Sequence, residues 1–186
     1  HSDATYEEAK QAFQEGASHV THCFNAMSPI HHRKPGIVTA AFEEEQVSLQ
    51  AIVDNVHLHP AIVRLMHRIK GPEKLVLITD ALQAMGLGDG EYHFGGHQVT
   101  VKNGIATLDD GTLASSTVMM NEALKNTIDN GISLIDAVRM ASTTPARLLN
   151  MEYSAEIKED FKADLVLLTD TFEVVWTMKD GEIIFS

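Results

Sequence analysis

Three side chains in this sequence could act together on a water molecule: His1, His22 and Asp80. Leu75-Val76-Leu77-Ile78 is an unbroken apolar run followed by Thr79-Asp80. Such a run reads as a buried parallel strand, and strand carboxyl ends are where α/β barrels and doubly wound folds do their chemistry. Asp80 is therefore either a catalytic carboxylate or the cap of the next turn. His1 and His22 stand where two successive earlier strands would end, with one helix between them. Imidazoles in those places could hold a divalent metal and its water, although a lone histidine is as readily a surface or core residue. Zinc needs a third protein ligand, and no residue here stands out for that role.

The elements that must carry these groups follow from periodicity. A helix is expected from Tyr6 to Glu15, with Ala9, Ala12 and Phe13 on one face, Gly16 as its stop and Thr5 with Glu8 as a capping box. A short strand over Ser18 to His22 follows, then the loop Asn25 to Pro29 and a short helix near Ile37 to Glu43. Val47 to Val53 reads as a second strand, ending in Asp54-Asn55-Val56-His57. Pro60 opens a helix to about Ile69, and Gly71-Pro72 ends it before the Leu75 strand. This βα repetition implies a parallel sheet or barrel.

After Asp80 the texture changes. Gly86, Gly88, Gly90, Gly95 and Gly96, with Asn103-Gly104 and Asp110-Gly111, read as a β-hairpin insertion around residues 86–112. Helices are expected over Thr117 to Asn130, Ser133 to Thr143 and Pro145 to Leu149. Ala163 to Leu168, Glu173 to Met178 and Glu182 to Phe185 then read as strands around Lys179-Asp180-Gly181. That tail is too small to fold alone. Three βα units cannot close an eight-stranded barrel, so the chain is expected to be the second half of a larger protein. Its expected parts are the C-terminal part of a barrel over 1–152 and strands of a small β-sandwich over 153–186.

A formal charge of -12 over 186 residues argues against nucleic acid or an anionic membrane as partner. The single cysteine, Cys23, allows no intrachain disulfide and fits a cytoplasmic location. No apolar run approaches the roughly 18 residues of a membrane span.

His1-Ser2-Asp3-Ala4-Thr5, Thr21-His22-Cys23-Phe24-Asn25-Ala26-Met27, His31-His32-Arg33-Lys34-Pro35-Gly36 and Thr79-Asp80-Ala81 form an ordered series. Asp110 to Thr117 and Met140 to Arg147 continue it. The series resembles the N-acetylglucosamine-6-phosphate deacetylases of the amidohydrolase superfamily, over essentially the whole chain. The resemblance implies an α/β fold, the C-terminal half of a TIM-like (β/α)8 barrel with strands of a small β-sandwich. It implies His1 and His22 as ligands of a divalent metal ion, zinc first, with iron, cobalt or manganese as alternatives. It implies Asp80 as general base and acid. The third metal ligand of the family is a glutamate on an upstream strand absent from this sequence, as is a histidine that polarises the substrate carbonyl.

For a phosphorylated amino sugar, the resemblance implies Asn25 and the Ala26 backbone at the phosphate, with Arg33 as its charged partner. Guanidinium suits phosphate because it makes paired hydrogen bonds. This arginine can reach across a dimer interface in the family, so a homodimer is expected. Asp54, His57, Leu113, Ala114 and Ser115 would border the sugar. The family usually carries Gly where Asn55 stands and often where Ser115 stands, and Lys34 replaces a common Glu. The implied reaction is hydrolysis of the N-acetyl group to glucosamine 6-phosphate and acetate. Two other readings stand beside it: an amidohydrolase of a different amide or cyclic imide, and a sugar-phosphate-binding module without catalysis. Without its upstream half, the chain is expected to be inactive and metal-poor.

Overall fold

The computed structural model describes residues 1–186. Three three-stranded sheets organise them. The first contains β1 (His19–Val20), β2 (Ser48–Ile52) and β3 (Leu75–Ile78), paired in that order and parallel throughout. Around it lie α1 (Tyr6–Gln14), α2 (Gly36–Glu43) and α3 (Pro60–Lys70). The capping box at α1 is present: Thr5 N–H donates to Glu8 Oε2 (2.8 Å) and Glu8 N–H to Thr5 Oγ1 (3.3 Å). At α3 the His59 ring accepts from Ala61 N–H, Pro60 fills the first turn, and Gly71 leaves the helix at φ 65°.

β2 and β3 are covered on both faces, which is why they read as near-continuous apolar runs. Leu49, Ile52 and Leu75 are essentially inaccessible, and Leu49 and Leu75 join Val38, Val63, Met66 and Met140 in the central packing. Lys70 is buried at the end of α3, where its Nζ donates to the carbonyls of Ala41 (3.1 Å) and Glu44 (2.6 Å) and so closes the end of α2. The buried ammonium is held below the ordinary lysine range by desolvation. The three parallel strands do not close a barrel.

β1 is shorter than the sequence suggests. Thr21 to Ala26 form turns instead, with His22, Phe24 and Ala26 all at positive φ (26°, 78° and 51°). No glycine marks this turn, so the sequence carries no local signal for it.

The second sheet is antiparallel: β4 (Gly90–Phe94), β5 (His97–Lys102) and β6 (Ile105–Leu108). Gly95-Gly96 and Asn103-Gly104 are two-residue connections with positive φ at both central positions, the conformation that matches strand twist. Leu82, Ala84, Val99, Val101, Ala106 and Ala114 form its own small core.

α4 (Met120–Asp129) starts three residues later than the periodicity of Thr117 to Asn130 predicts. Ser116 N–H donates to the Asp80 carbonyl and Thr117 Oγ1 to the Gly104 carbonyl, so the residues before Met119 are engaged elsewhere. The helix expected over Ser133 to Thr143 is α5 (Leu134–Val138) followed by a π-helical turn over Arg139–Thr143, leading into α6 (Thr144–Leu148). Pro145 lacks an N–H and cannot continue a regular helical ladder; the widened turn just before it bonds Thr144 N–H to the Arg139 carbonyl. Last come β7 (Leu165–Leu168), β8 (Val174–Lys179) and β9 (Glu182–Phe185), an antiparallel sheet turned at Asp180-Gly181. No side chain of residues 151–186 is buried.

Candidate active site

The parallel sheet sets out its chemistry along one edge. His22, Asp54 and Asp80 each lie two residues beyond the carboxyl end of β1, β2 and β3. Ile52 pairs with Ile78, so Asp54 and Asp80 leave neighbouring strands at the same level. Two interstrand spacings, about 10 Å, separate β1 from β3.

His1 is brought to this edge by a pairing that the sequence does not announce. Ser2 forms a parallel bridge with Met27 and donates its N–H to the Ala26 carbonyl (3.0 Å). The His1 and His22 rings consequently lie with centroids 4.8 Å apart. His22 is 8% exposed, and its buried Nδ1 has no hydrogen-bond partner. A buried, unsatisfied nitrogen is costly, and a ligand to that atom would remove the cost. Two adjacent imidazoles with one orphaned nitrogen fit two protein positions of a metal site, whereas a catalytic zinc takes three. No group of three or more His, Cys, Asp or Glu side chains is close enough together to hold an ion.

Gln50, in the middle of β2, organises the His22 turn. Its Oε1 accepts from Thr21 Oγ1 (2.8 Å) and His22 N–H (3.4 Å), and its carbonyl accepts from Cys23 N–H (2.9 Å). Sequence reading missed this residue, although a lone amide inside the apolar run Ser48–Ile52 was a usable signal. Cys23 is fully buried and its thiol is pushed up to about 12 by desolvation, which removes it as a nucleophile.

Asp80 is exposed, and its backbone has φ 46°, an uncommon conformation for a residue other than glycine. The turn is pinned from across the strand. Ser116 N–H (3.0 Å) and Ser115 Oγ both donate to the Asp80 carbonyl, Ser116 Oγ donates to the Thr79 carbonyl, and Leu82 N–H to the Ser116 carbonyl (2.9 Å). Ser115 thus meets Asp80 directly. Ala114 lies in the core of the second sheet and donates its N–H to the Ala106 carbonyl (3.0 Å), and Leu113 is 38% exposed. Ser115 and Asn55 both sit at positive φ (60° and 63°), so these two positions require the left-handed backbone that glycine adopts freely.

Asp54 and His57 form a second pair. His57 Nδ1 is 2.6 Å from Asp54 Oδ2, and Asp54 Oδ1 accepts from Val56 N–H (2.9 Å) and His57 N–H (2.8 Å). Desolvation pushes the Asp54 carboxyl up, but the His57 ring and the two backbone donors together outweigh it and hold it below the usual aspartate value. Asn25 is half-buried, and its Nδ2 turns back to the His22 carbonyl (3.3 Å). Ala26 and Arg33 are exposed, with Arg33 Nη1 against the His32 ring (2.6 Å). A cleft of ≈ 640 Å³ lies between the second sheet and α4, and of the expected site residues only Asp54 lines it.

The amidohydrolase family profile matches residues 1–184. The chain belongs to the amidohydrolase family. This amidohydrolase is 39% identical to the N-acetylglucosamine-6-phosphate deacetylase of Bacillus subtilis, over 100% of its own length and 47% of that protein's. It is 36% identical to an N-acetylgalactosamine-6-phosphate deacetylase of Escherichia coli O157:H7, over 95% of its length and 48% of that protein's. Its structure superposes with a TM-score of 0.95, at 37% identity, on a mutant N-acetyl-D-glucosamine-6-phosphate deacetylase from Mycobacterium smegmatis in complex with N-acetyl-D-glucosamine-6-phosphate. That match covers 99% of this chain and 50% of the other. The resemblance read from the motifs is thus borne out, and the amidohydrolase spans about half the length of the relatives it matches. No helix is long and apolar enough to cross a membrane.

Proposed function

We propose that the protein carrying this chain removes the acetyl group of N-acetylglucosamine 6-phosphate, giving glucosamine 6-phosphate and acetate. The observation that carries the reading is the adjacency of His1 and His22, with an orphaned buried Nδ1, on the sheet edge that also presents Asp80. Sugar-phosphate binding alone would not require that set. His1 and His22 would hold a divalent ion, whose chemistry when bound is to acidify water and polarise the acetyl carbonyl. Asp80 takes the proton of the attacking water and delivers it to the departing amine nitrogen. Its exposed carboxylate and pinned backbone keep one group available for both transfers. Arg33, with Asn25 and the Ala26 backbone, receives the phosphate. His57 borders the sugar together with Leu113, the Ala114 backbone and Ser115. A homodimer in which Arg33 serves the neighbouring site is part of the same reading.

An N-acetylgalactosamine 6-phosphate substrate is the second reading, favoured by the 36% identity to the Escherichia coli protein. Acetate release should be measured from both N-acetyl epimers and from unphosphorylated N-acetylglucosamine, and ring opening from cyclic imides. The proposal predicts fastest turnover with N-acetylglucosamine 6-phosphate. Preference for the galacto epimer would replace the substrate, and preference for an unphosphorylated sugar or an imide would overturn the reading.

A further inference from the structure

We propose that Asp54 is a positioning residue: it does not touch the sugar but locks the His57 ring so that Nε2 presents a lone pair to a substrate hydroxyl. The inference rests on the deacetylase reading above, and it assigns Asp54 a different part from the sugar contact that the motif resemblance implies.

Both carboxylate oxygens of Asp54 are already engaged. Oδ2 faces His57 Nδ1 at 2.6 Å, and Oδ1 accepts the N–H groups of Val56 and His57. The two side chains are 12% and 7% exposed, so the contact is largely shielded from water. An ionised carboxylate only accepts, so the proton of this contact sits on Nδ1 and Nε2 of the neutral ring is left as an acceptor. His57 Nε2 has no hydrogen-bond partner and is not buried. It is therefore the ring atom that can meet a ligand.

The loop carrying the pair is built to hold it still. Asn126 Nδ2 of α4 donates to the Val53 carbonyl (3.0 Å). Asn130 Nδ2, just past the end of α4, donates to Asn55 Oδ1 (2.9 Å), and Arg64 of α3 donates to the Asn130 carbonyl (3.2 Å). Asn55 holds φ 63° between the two members of the pair, a conformation that asparagine tolerates better than most residues. Groups on two helices thus fix a segment that has no regular structure of its own. Preorganisation of this kind is what a side chain that orients another one requires.

Two measurements on the full-length, metal-loaded enzyme test the assignment. With histidine rings isotope-labelled at nitrogen, and the His57 signals identified by their loss in His57→Gln, the wild-type ring should be in the Nδ1–H form without substrate. Asp54→Asn keeps Oδ1 for the two backbone donors and removes only the ionised Oδ2, so the fold should persist while the tautomer population shifts. In kinetics, Asp54→Asn and His57→Gln should each raise KM about tenfold with little change in kcat, the loss expected for one hydrogen bond to substrate. The double variant should again show about tenfold, because Asp54 acts only through His57. A wild-type ring in the Nε2–H form, or KM losses that multiply in the double variant, would overturn the proposal. The ring spectrum needs no substrate, so it decides the role of Asp54 even if the enzyme proves inactive on every N-acetyl sugar phosphate.

Discussion

At the scale of single residues, charge and position separate the roles. Arg33 is exposed in a turn and pairs with no carboxylate, its Nη1 meeting only the His32 ring (2.6 Å), and the proposed reading gives its guanidinium to the phosphate. Arg33→Ala should raise KM for N-acetylglucosamine 6-phosphate about tenfold or more while leaving the unphosphorylated sugar unaffected, as paired steady-state measurements on the two substrates would show. Asp54 makes a pH prediction. Its folded-state pKa is depressed, so its contribution to stability is present above the ordinary aspartate value and is lost as pH falls through the lower folded value. Asp54→Asn should therefore lower stability at neutral pH and flatten the acid limb, below about pH 4, of a denaturation series. His1, His22 and Asp80 were legible in the sequence because each ends an apolar run or opens a motif. Gln50, Asn126 and Asn130 were not, because their partners lie far off in sequence: Thr21 and Cys23, the Val53 carbonyl, and the Asn55 side chain.

At the scale of elements, local turn chemistry explains most of what sequence reading found. Asn103-Gly104 takes the positive φ pair its type demands, and Asp89 accepts both N–H groups (2.8 and 3.1 Å). A Cβ on Gly104 would meet Thr117 Oγ1 at 3.7 Å, an ordinary contact, so only the backbone conformation opposes substitution. Gly104→Ala should cost about 1 kcal/mol in urea unfolding. Ser115→Gly balances two effects of similar size: relief of a left-handed serine, about 1 kcal/mol, against loss of its hydroxyl's bond to the Asp80 carbonyl, about 0.5–1.5 kcal/mol. Stability should stay within about 1 kcal/mol of wild type, and a larger loss would show that the hydroxyl governs the Asp80 turn. The α4 start and the π-helical turn escaped sequence reading for one reason: tertiary bonds from Ser116 and Thr117 and the missing N–H of Pro145 override helical periodicity.

At the scale of the whole molecule, two regions differ in what holds them. The parallel sheet packs into a continuous core, whereas residues 151–186 bury no side chain and leave Val166, Ile183, Ile184 and Phe185 more than half exposed. We propose that the boundary between barrel-type and sandwich-type parts lies near residues 152–153. Limited proteolysis of the 186-residue chain should accordingly cut between Leu149 and Lys162 first. The parallel βα alternation was legible because buried strands read as apolar runs; how the last sheet is covered was not, because its own residues supply no buried face. The central claim, that this edge of the sheet hydrolyses an acetyl amide with Asp80 as base, is tested most directly by acetate release. Full-length wild type and Asp80→Asn should be compared on N-acetylglucosamine 6-phosphate at equal metal content. The account predicts acetate release by the wild type and a fall in kcat of about 100-fold or more in the variant with substrate binding retained, whereas near-normal turnover in Asp80→Asn would contradict it.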